Sequence, residues 1–188
     1  MPRNADEVRL RLQEAALELY LERGYDKTTT GDIAAQAGVT ERTFFRHFAD
    51  KREVFFDGEA ELRELLTGAV AAVPAGTKPL AALRAAFHET VVLIERHLPV
   101  TERRAPVIAA TPALQERALA KSASLVAALA DALRARGVTG QLAALCAQVG
   151  MDTYANAIRR WHADRTQDLH AHLDRAFTDL RLATNALK

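Results

Sequence analysis

The 188-residue chain carries 25 Lys and Arg against 24 Asp and Glu, a formal charge of +1, so any grip on nucleic acid has to come from local placement of charge and not from bulk basicity. The single cysteine, Cys146, excludes an intrachain disulfide, and neither a charged-then-apolar leader nor a long apolar run is present, which points to a soluble, cytoplasmic protein without membrane association. Ala, Leu, Arg and Glu dominate and period-two alternation is nearly absent, so the chain is expected to be all-α.

A first helix is expected from Asp6 to Arg23, because Leu12, Ala15, Ala16, Leu19 and Tyr20 form one apolar stripe, with Gly24 as its C′ residue. Thr29 and Asp32 then make a capping-box signature ahead of Ile33, Ala34 and Ala37, giving a second helix of about two turns. Gly38 supplies a sharp turn, Val39 an apolar plug and Thr40 an N-cap for a third helix, ERTFFRHF. Three short helices punctuated in this way read as a helix-turn-helix.

Asp50 with Glu53 is a second capping signature, expected to start a long fourth helix through Val54, Phe55, Leu62, Leu65, Leu66, Ala69 and Val73, closed by the Pro74–Pro79 break. That helix is the only continuous element the sequence suggests between the head and the rest. A fifth helix is expected over Pro79–His97, stopped by Pro99, and a short sixth near Arg103–Ala110. Thr111-Pro112 opens a seventh ending at Gly137. Thr139 caps an eighth that runs to Trp161, and Asp164 with Gln167 opens a ninth with the face Leu169, Leu173, Ala176, Phe177, Leu180 and Leu187.

In the third helix, Phe44 and Phe48 lie one turn apart with Phe45 beside them, and all three are expected to face helices 1 and 2. Arg42, Thr43, Arg46 and His47 are left outward. Such a helix suits a major groove, its first residues reaching base edges and the rest phosphates, although two arginines on a helix are also an ordinary solvated face.

The stretch from Ala15 to Phe55, AALELYLERGYDKTTTGDIAAQAGVTERTFFRHFADKREVF, resembles the N-terminal module of TetR-family regulators at nearly every motif position and covers over a fifth of the chain. The C-terminal sequence is only generic to the family. The resemblance implies a fold of nine or ten helices, with residues 1–52 as a three-helix DNA-binding domain and 53–188 as a helical ligand-binding and dimerisation domain. It also implies a homodimer that binds near-palindromic double-stranded operator DNA, usually as a repressor, and is released by a small effector. Carried over by position, Thr40, Arg42 and Thr43 form the base-proximal start of the recognition helix, where Arg42 can fork to a guanine. Glu41 either orients Arg42, accepts from a cytosine, or simply favours the helix dipole. His47 and Lys51 match phosphate-contacting positions, and Thr28 or Thr30 matches a flanking hydroxyl contact. The chain departs from the family in having Phe45 where tyrosine is common, which leaves ring packing on a sugar or thymine methyl but no phenolic hydrogen bond. Tyr25 is expected to wedge helix 1 against the helix-turn-helix.

In the eighth helix, Leu142, Leu145, Cys146, Val149 and Thr153 fall on one side, and Met151, Tyr154, Ile158 and Trp161 on another. Two apolar faces need two partners, which agrees with a homodimer through the last two helices; a helix central to its own domain is the alternative. An effector cavity is expected between the fifth, seventh and eighth helices, with Phe87, His88, Val91, Glu95, Leu125, Cys146, Val149 and Tyr154 as candidates, although most could equally be plain core. The many alanines leave either room for a hydrophobic ligand or close helix packing.

His162, His170 and His172 with Asp168 and Asp174 raise the question of a metal, but His170 and His172 are two apart and point to opposed sides of a helix, so no metal and no cofactor is expected. No nucleophile, base and orienter cluster and no glycine-rich phosphate loop is visible, which argues against an enzyme. The rival functions are an all-α ligand-binding or enzymatic bundle with a non-functional DNA head, and a regulator that needs no ligand.

Overall fold

A computed structural model describes residues 2–185, with side chains from residue 5 onward. Among these the chain is helical throughout: α1 Pro2–Arg23, α2 Thr30–Gln36, α3 Glu41–His47, α4 Glu59–Ala72, α5 Pro79–Glu89, α6 Val91–Ala110, α7 Pro112–Ala135, α8 Gly140–Ala163 and α9 Leu169–Asn185, with a 3₁₀ turn at Glu53–Phe55. Leu187, assigned to the ninth helix face, lies outside the described residues.

The chain forms two compact units. The first runs to Gly58 and also takes in His97–Lys121. Its core joins Leu12, Ala16, Leu17, Ile33, Phe44 and Val54 to Val107 and Leu114, so the second half of α6 and the start of α7 share the core of helices 1 to 3. Charged side chains reinforce this union: Arg117 forks onto Glu53 at 2.5 and 2.9 Å, and Arg104 lies over the Phe55 ring. A cut after residue 52 therefore does not coincide with the edge of this unit. Nor is the fourth helix the continuous element, since α4 lies wholly in the second unit whereas α6 and α7 each have residues in both.

The second unit comprises Glu59–Arg96 and the chain from Ser122 onward. Leu66, Val70, Leu83, Phe87, Leu129, Leu133, Leu169 and Leu173 form its fully buried centre. A Cβ on Gly150 of α8 would stand 2.7 Å from Cδ1 of Leu83 on α5, so the small residue sets how closely these two helices approach.

Three helix boundaries differ from the periodic reading. Asp50 does accept the backbone N–H groups of Arg52 and Glu53 at 2.7 and 3.2 Å, but the chain beyond it forms only a 3₁₀ turn, Glu53–Phe55, and not the start of a long helix. Val54, Phe55 and Phe56 are consecutive and all buried, which one α-helical face cannot achieve, and Gly58 at φ +85° redirects the chain into α4. The long fifth helix is broken at Thr90, whose buried hydroxyl donates to the Phe87 carbonyl at 2.7 Å and so competes with the helical ladder. α6 then continues through Pro99 and Pro106, both exposed, each forfeiting one helical N–H bond. At the last boundary Asp164 ends α8. It is Asp168, accepting from the Ala171 N–H at 2.8 Å, that starts α9.

Candidate nucleic-acid interface

The helix-turn-helix is built by caps that act over three residues. Thr29 and Asp32 exchange hydrogen bonds in both directions, N–H of Thr29 to Oδ2 of Asp32 at 2.9 Å and N–H of Asp32 to Oγ1 of Thr29 at 3.1 Å, closing the first turn of α2. Gly38 turns the chain at φ +68°, and the Val39 N–H returns to the Ala34 carbonyl at 2.9 Å, which seats Val39 against the core. Thr40 then accepts the Thr43 N–H at 3.2 Å and starts α3.

Phe44 and Phe48 anchor α3 at 0 and 4 % exposure. Phe45 does not join them: it is 53 % exposed, its ring edge-on to Phe44 at 5.5 Å, because residues one apart on a helix point about 100° apart. The outer side of α3 thus presents Glu41, Arg42, Phe45 and Arg46, all exposed, with Thr43 half-buried beside them. Neither Arg42 nor Arg46 forms an ion pair or side-chain hydrogen bond with a described residue, so both guanidinium groups keep their donors for an outside partner. Glu41 is occupied within the chain, since its carboxylate accepts the Thr30 hydroxyl at 2.5 Å and ties the start of α3 to the start of α2. Thr30 and Glu41 are eleven positions apart, and no local signature announces the bond.

Three expected contact residues, Thr28, Lys51 and His47, are drawn wholly or partly into the head. Thr28 is fully buried and donates to the Gly24 carbonyl at 2.9 Å, so of the two threonines only Thr30 lies near the outer side. Lys51 donates to the carbonyls of Tyr25 and Thr28, both at 2.9 Å, and lies 4.1 Å from the centre of the Tyr25 ring. Tyr25 in turn meets Tyr20 edge-on at 5.2 Å, the inward wedge expected of it. The ammonium of Lys51 therefore gathers the connector between α1 and α2.

His47 is half-buried, and its Nε2 is enclosed without a hydrogen-bond partner. Burial, followed by the charges of Arg46 and Arg9, holds its pKa below the ordinary histidine range. The unfolded chain then takes up a proton that the folded head refuses, so His47 stabilises the head fully above the free value of 6.5 and less as pH falls below it. Melting followed by circular dichroism should show wild type losing more stability than His47→Gln between about pH 8 and pH 5. Parallel losses would place the proton uptake elsewhere.

The eight effector candidates differ in burial and in what holds them. Phe87 stacks on Tyr154 at 4.4 Å, and the Tyr154 hydroxyl, whose pKa burial pushes up to about 12, shares a 2.7 Å hydrogen bond with Thr90. Val91, Leu125 and Cys146 are buried, Val149 is half-buried and Glu95 is exposed, while His88 is engaged by His170 and Asp174. A recess of about 440 Å³ lies between α4 and α5, with Leu65, Ala69, Val73 and Ala85 among its walls and Glu64 and Glu89 as its carboxylates. None of the eight lines it. On α8, the Met151, Tyr154 and Trp161 face is internal, whereas Leu142 and Leu145 are 46 and 61 % exposed. No helix among the described residues is long and apolar enough to cross a membrane.

Residues 12–57 match the sequence family described as bacterial regulatory proteins, tetR family, and residues 77–184 match the MftR C-terminal domain. The HTH-type transcriptional regulator TcmR of Streptomyces glaucescens is 46% identical over 72 residues, 38% of this chain and 32% of TcmR, so the match spans about a third of that relative. Among solved structures, SmeT in complex with triclosan has a TM-score of 0.61 at 20% identity, covering 92% of this chain and 90% of SmeT. Thermus thermophilus FadR, a TetR-family repressor in complex with lauroyl-CoA, has a TM-score of 0.50 at 26% identity, covering 90% and 91%. With a capped helix-turn-helix at the N-terminus, an all-helical remainder and family matches that together span residues 12 to 184 with one gap, the chain belongs to the TetR family of bacterial regulatory proteins.

Proposed function

We propose that this chain is a ligand-responsive transcriptional regulator, a cytoplasmic homodimeric repressor whose two α3 helices enter successive major grooves of a near-palindromic operator and which a small hydrophobic effector releases. The observation that carries the reading is the outer side of α3, where Arg42 and Arg46 stand exposed, without an ion pair to any described residue, beside Phe45 on a helix pinned from behind by Phe44 and Phe48. Arg42, next to the capped start, is the base reader; Arg46 reaches phosphate; Phe45 packs on sugar or a thymine methyl. Selection from random duplex DNA tests this. Recovery of a near-palindrome with half-sites about one duplex turn apart supports it, and no enrichment over input overturns it.

The exposed Leu142 and Leu145, with half-buried Val149, repeat at three and four residues along α8, and Leu182 of α9 is 61 % exposed. A second copy covering this stripe fits the apolar surface better than water does. Leu145→Glu should leave the helicity unchanged and convert a dimer to a monomer in light scattering at micromolar concentration. A dimeric mass for the variant would move the interface off this stripe.

The α4–α5 recess, walled by alanine, leucine and valine, is the candidate effector site within the C-terminal unit, and the acyl ligand of FadR is consistent with an apolar effector. An effector can loosen the operator only by its difference in affinity between two states of the dimer, with typical coupling of about 1–3 kcal/mol, or roughly 5-fold to 150-fold.

A further inference from the structure

Residues 82 positions apart in the chain meet where α5 packs on α9. Arg84 and His88 stand one turn apart on α5, and His170 and Asp174 one turn apart on α9. Nε2 of His88 lies 2.8 Å from Oδ1 of Asp174, and the same oxygen accepts from Arg84 at 2.8 and 3.0 Å. The other nitrogen of His88, Nδ1, lies 2.6 Å from Nδ1 of His170, with the two rings 9° from parallel.

A carboxylate only accepts, so the neutral His88 ring keeps its proton on Nε2 and presents the Nδ1 lone pair to His170. This is the carboxylate–histidine arrangement that orients an imidazole for a metal and raises its basicity. We propose that His88 and His170 form a site for a divalent late transition metal of the zinc or copper(II) class, held by the two Nδ1 atoms, with Asp174 bracing His88 from behind. His170 binds as its Nε2–H tautomer, so no net proton is lost from the pair. Two nitrogens at zinc-bond length around one tetrahedral ion stand about 3.4 Å apart, and the rings need part by less than about 1 Å to admit it. His170 is exposed and free to make that adjustment. Among the described residues no three His, Cys, Asp or Glu side chains converge on one point, so water completes the shell. The ion is therefore exchangeable, with micromolar affinity, and clasps α5 to α9.

Chelator-treated full-length protein titrated with zinc in a calorimeter tests the site. Wild type should take up one equivalent per chain at micromolar affinity, and His88→Ala or His170→Ala should each lose at least tenfold while keeping their helicity. Asp174→Asn should lose about 10-fold to 100-fold, and His162→Ala should bind as wild type does. Copper(II) electron paramagnetic resonance should resolve two imidazole nitrogens in wild type and one in His170→Ala. No zinc uptake by wild type at millimolar concentration, equal uptake by wild type and His170→Ala, or loss of uptake in His162→Ala would each overturn the proposal.

Discussion

Replacing Phe44 by alanine should destabilise the N-terminal unit by about 3–5 kcal/mol, the cost of emptying a phenylalanine site that cannot collapse. Phe44 is fully buried and shares its core with Leu12, Ala16, Ile33 and Phe48. α3 is only seven residues long, too short to persist as an isolated helix, so its position depends on this side chain and on the Thr40 cap. Against a typical domain stability of about 5–15 kcal/mol, the loss leaves the head close to unfolding at physiological temperature. Urea denaturation followed by circular dichroism should resolve an early transition in the variant, and sequence-specific DNA binding should disappear with it. A shift below about 1 kcal/mol would mean that α3 is anchored by something other than its aromatic face.

Arg42→Ala should cost roughly 1–3 kcal/mol at the selected operator and relax preference at one base pair, if the guanidinium forks onto a guanine edge. Because Arg42 is exposed and forms no ion pair or side-chain hydrogen bond with a described residue, its removal should leave the melting temperature unchanged. Lys51→Ala makes the informative contrast. From position alone it should weaken all DNA sequences equally as a lost phosphate contact. With its ammonium on the Tyr25 and Thr28 carbonyls, it should instead lower the melting temperature of the head, by leaving two acceptors without their charged donor. Binding constants for both variants on matched and mismatched duplexes, measured alongside melting curves, separate these outcomes. If affinities of Arg42→Ala fell in parallel on every duplex, Arg42 would be a phosphate contact and not a base reader.

The features legible in the chain are those whose physics acts over three or four residues. The Thr29–Asp32 box, the Gly38 turn, the Thr40 cap and the Pro112 start all form as their spacing predicts, because a cap needs only its own neighbours to be satisfied. The apolar stripes of α1 and α9 are legible for a related reason: periodicity records which side of a helix is dry. Periodicity does not record what dries it, and there the tertiary structure decided the outcome. Val107 and Leu114 enter the core of the first unit although nothing near them names that partner. Pro99 sits inside a helix because the packing that holds α6 outweighs one lost hydrogen bond. Thr28 and Lys51, polar by type and expected outside, face inward because carbonyls at the end of α1 and in the connector must be paired. Spacing along the chain sets His170 beside His162, His172, Asp168 and Asp174, whereas its partner His88 is supplied by another helix. Side-chain chemistry can be read from the chain residue by residue, but the second member of a long-range pair is chosen only when packing brings two helices together.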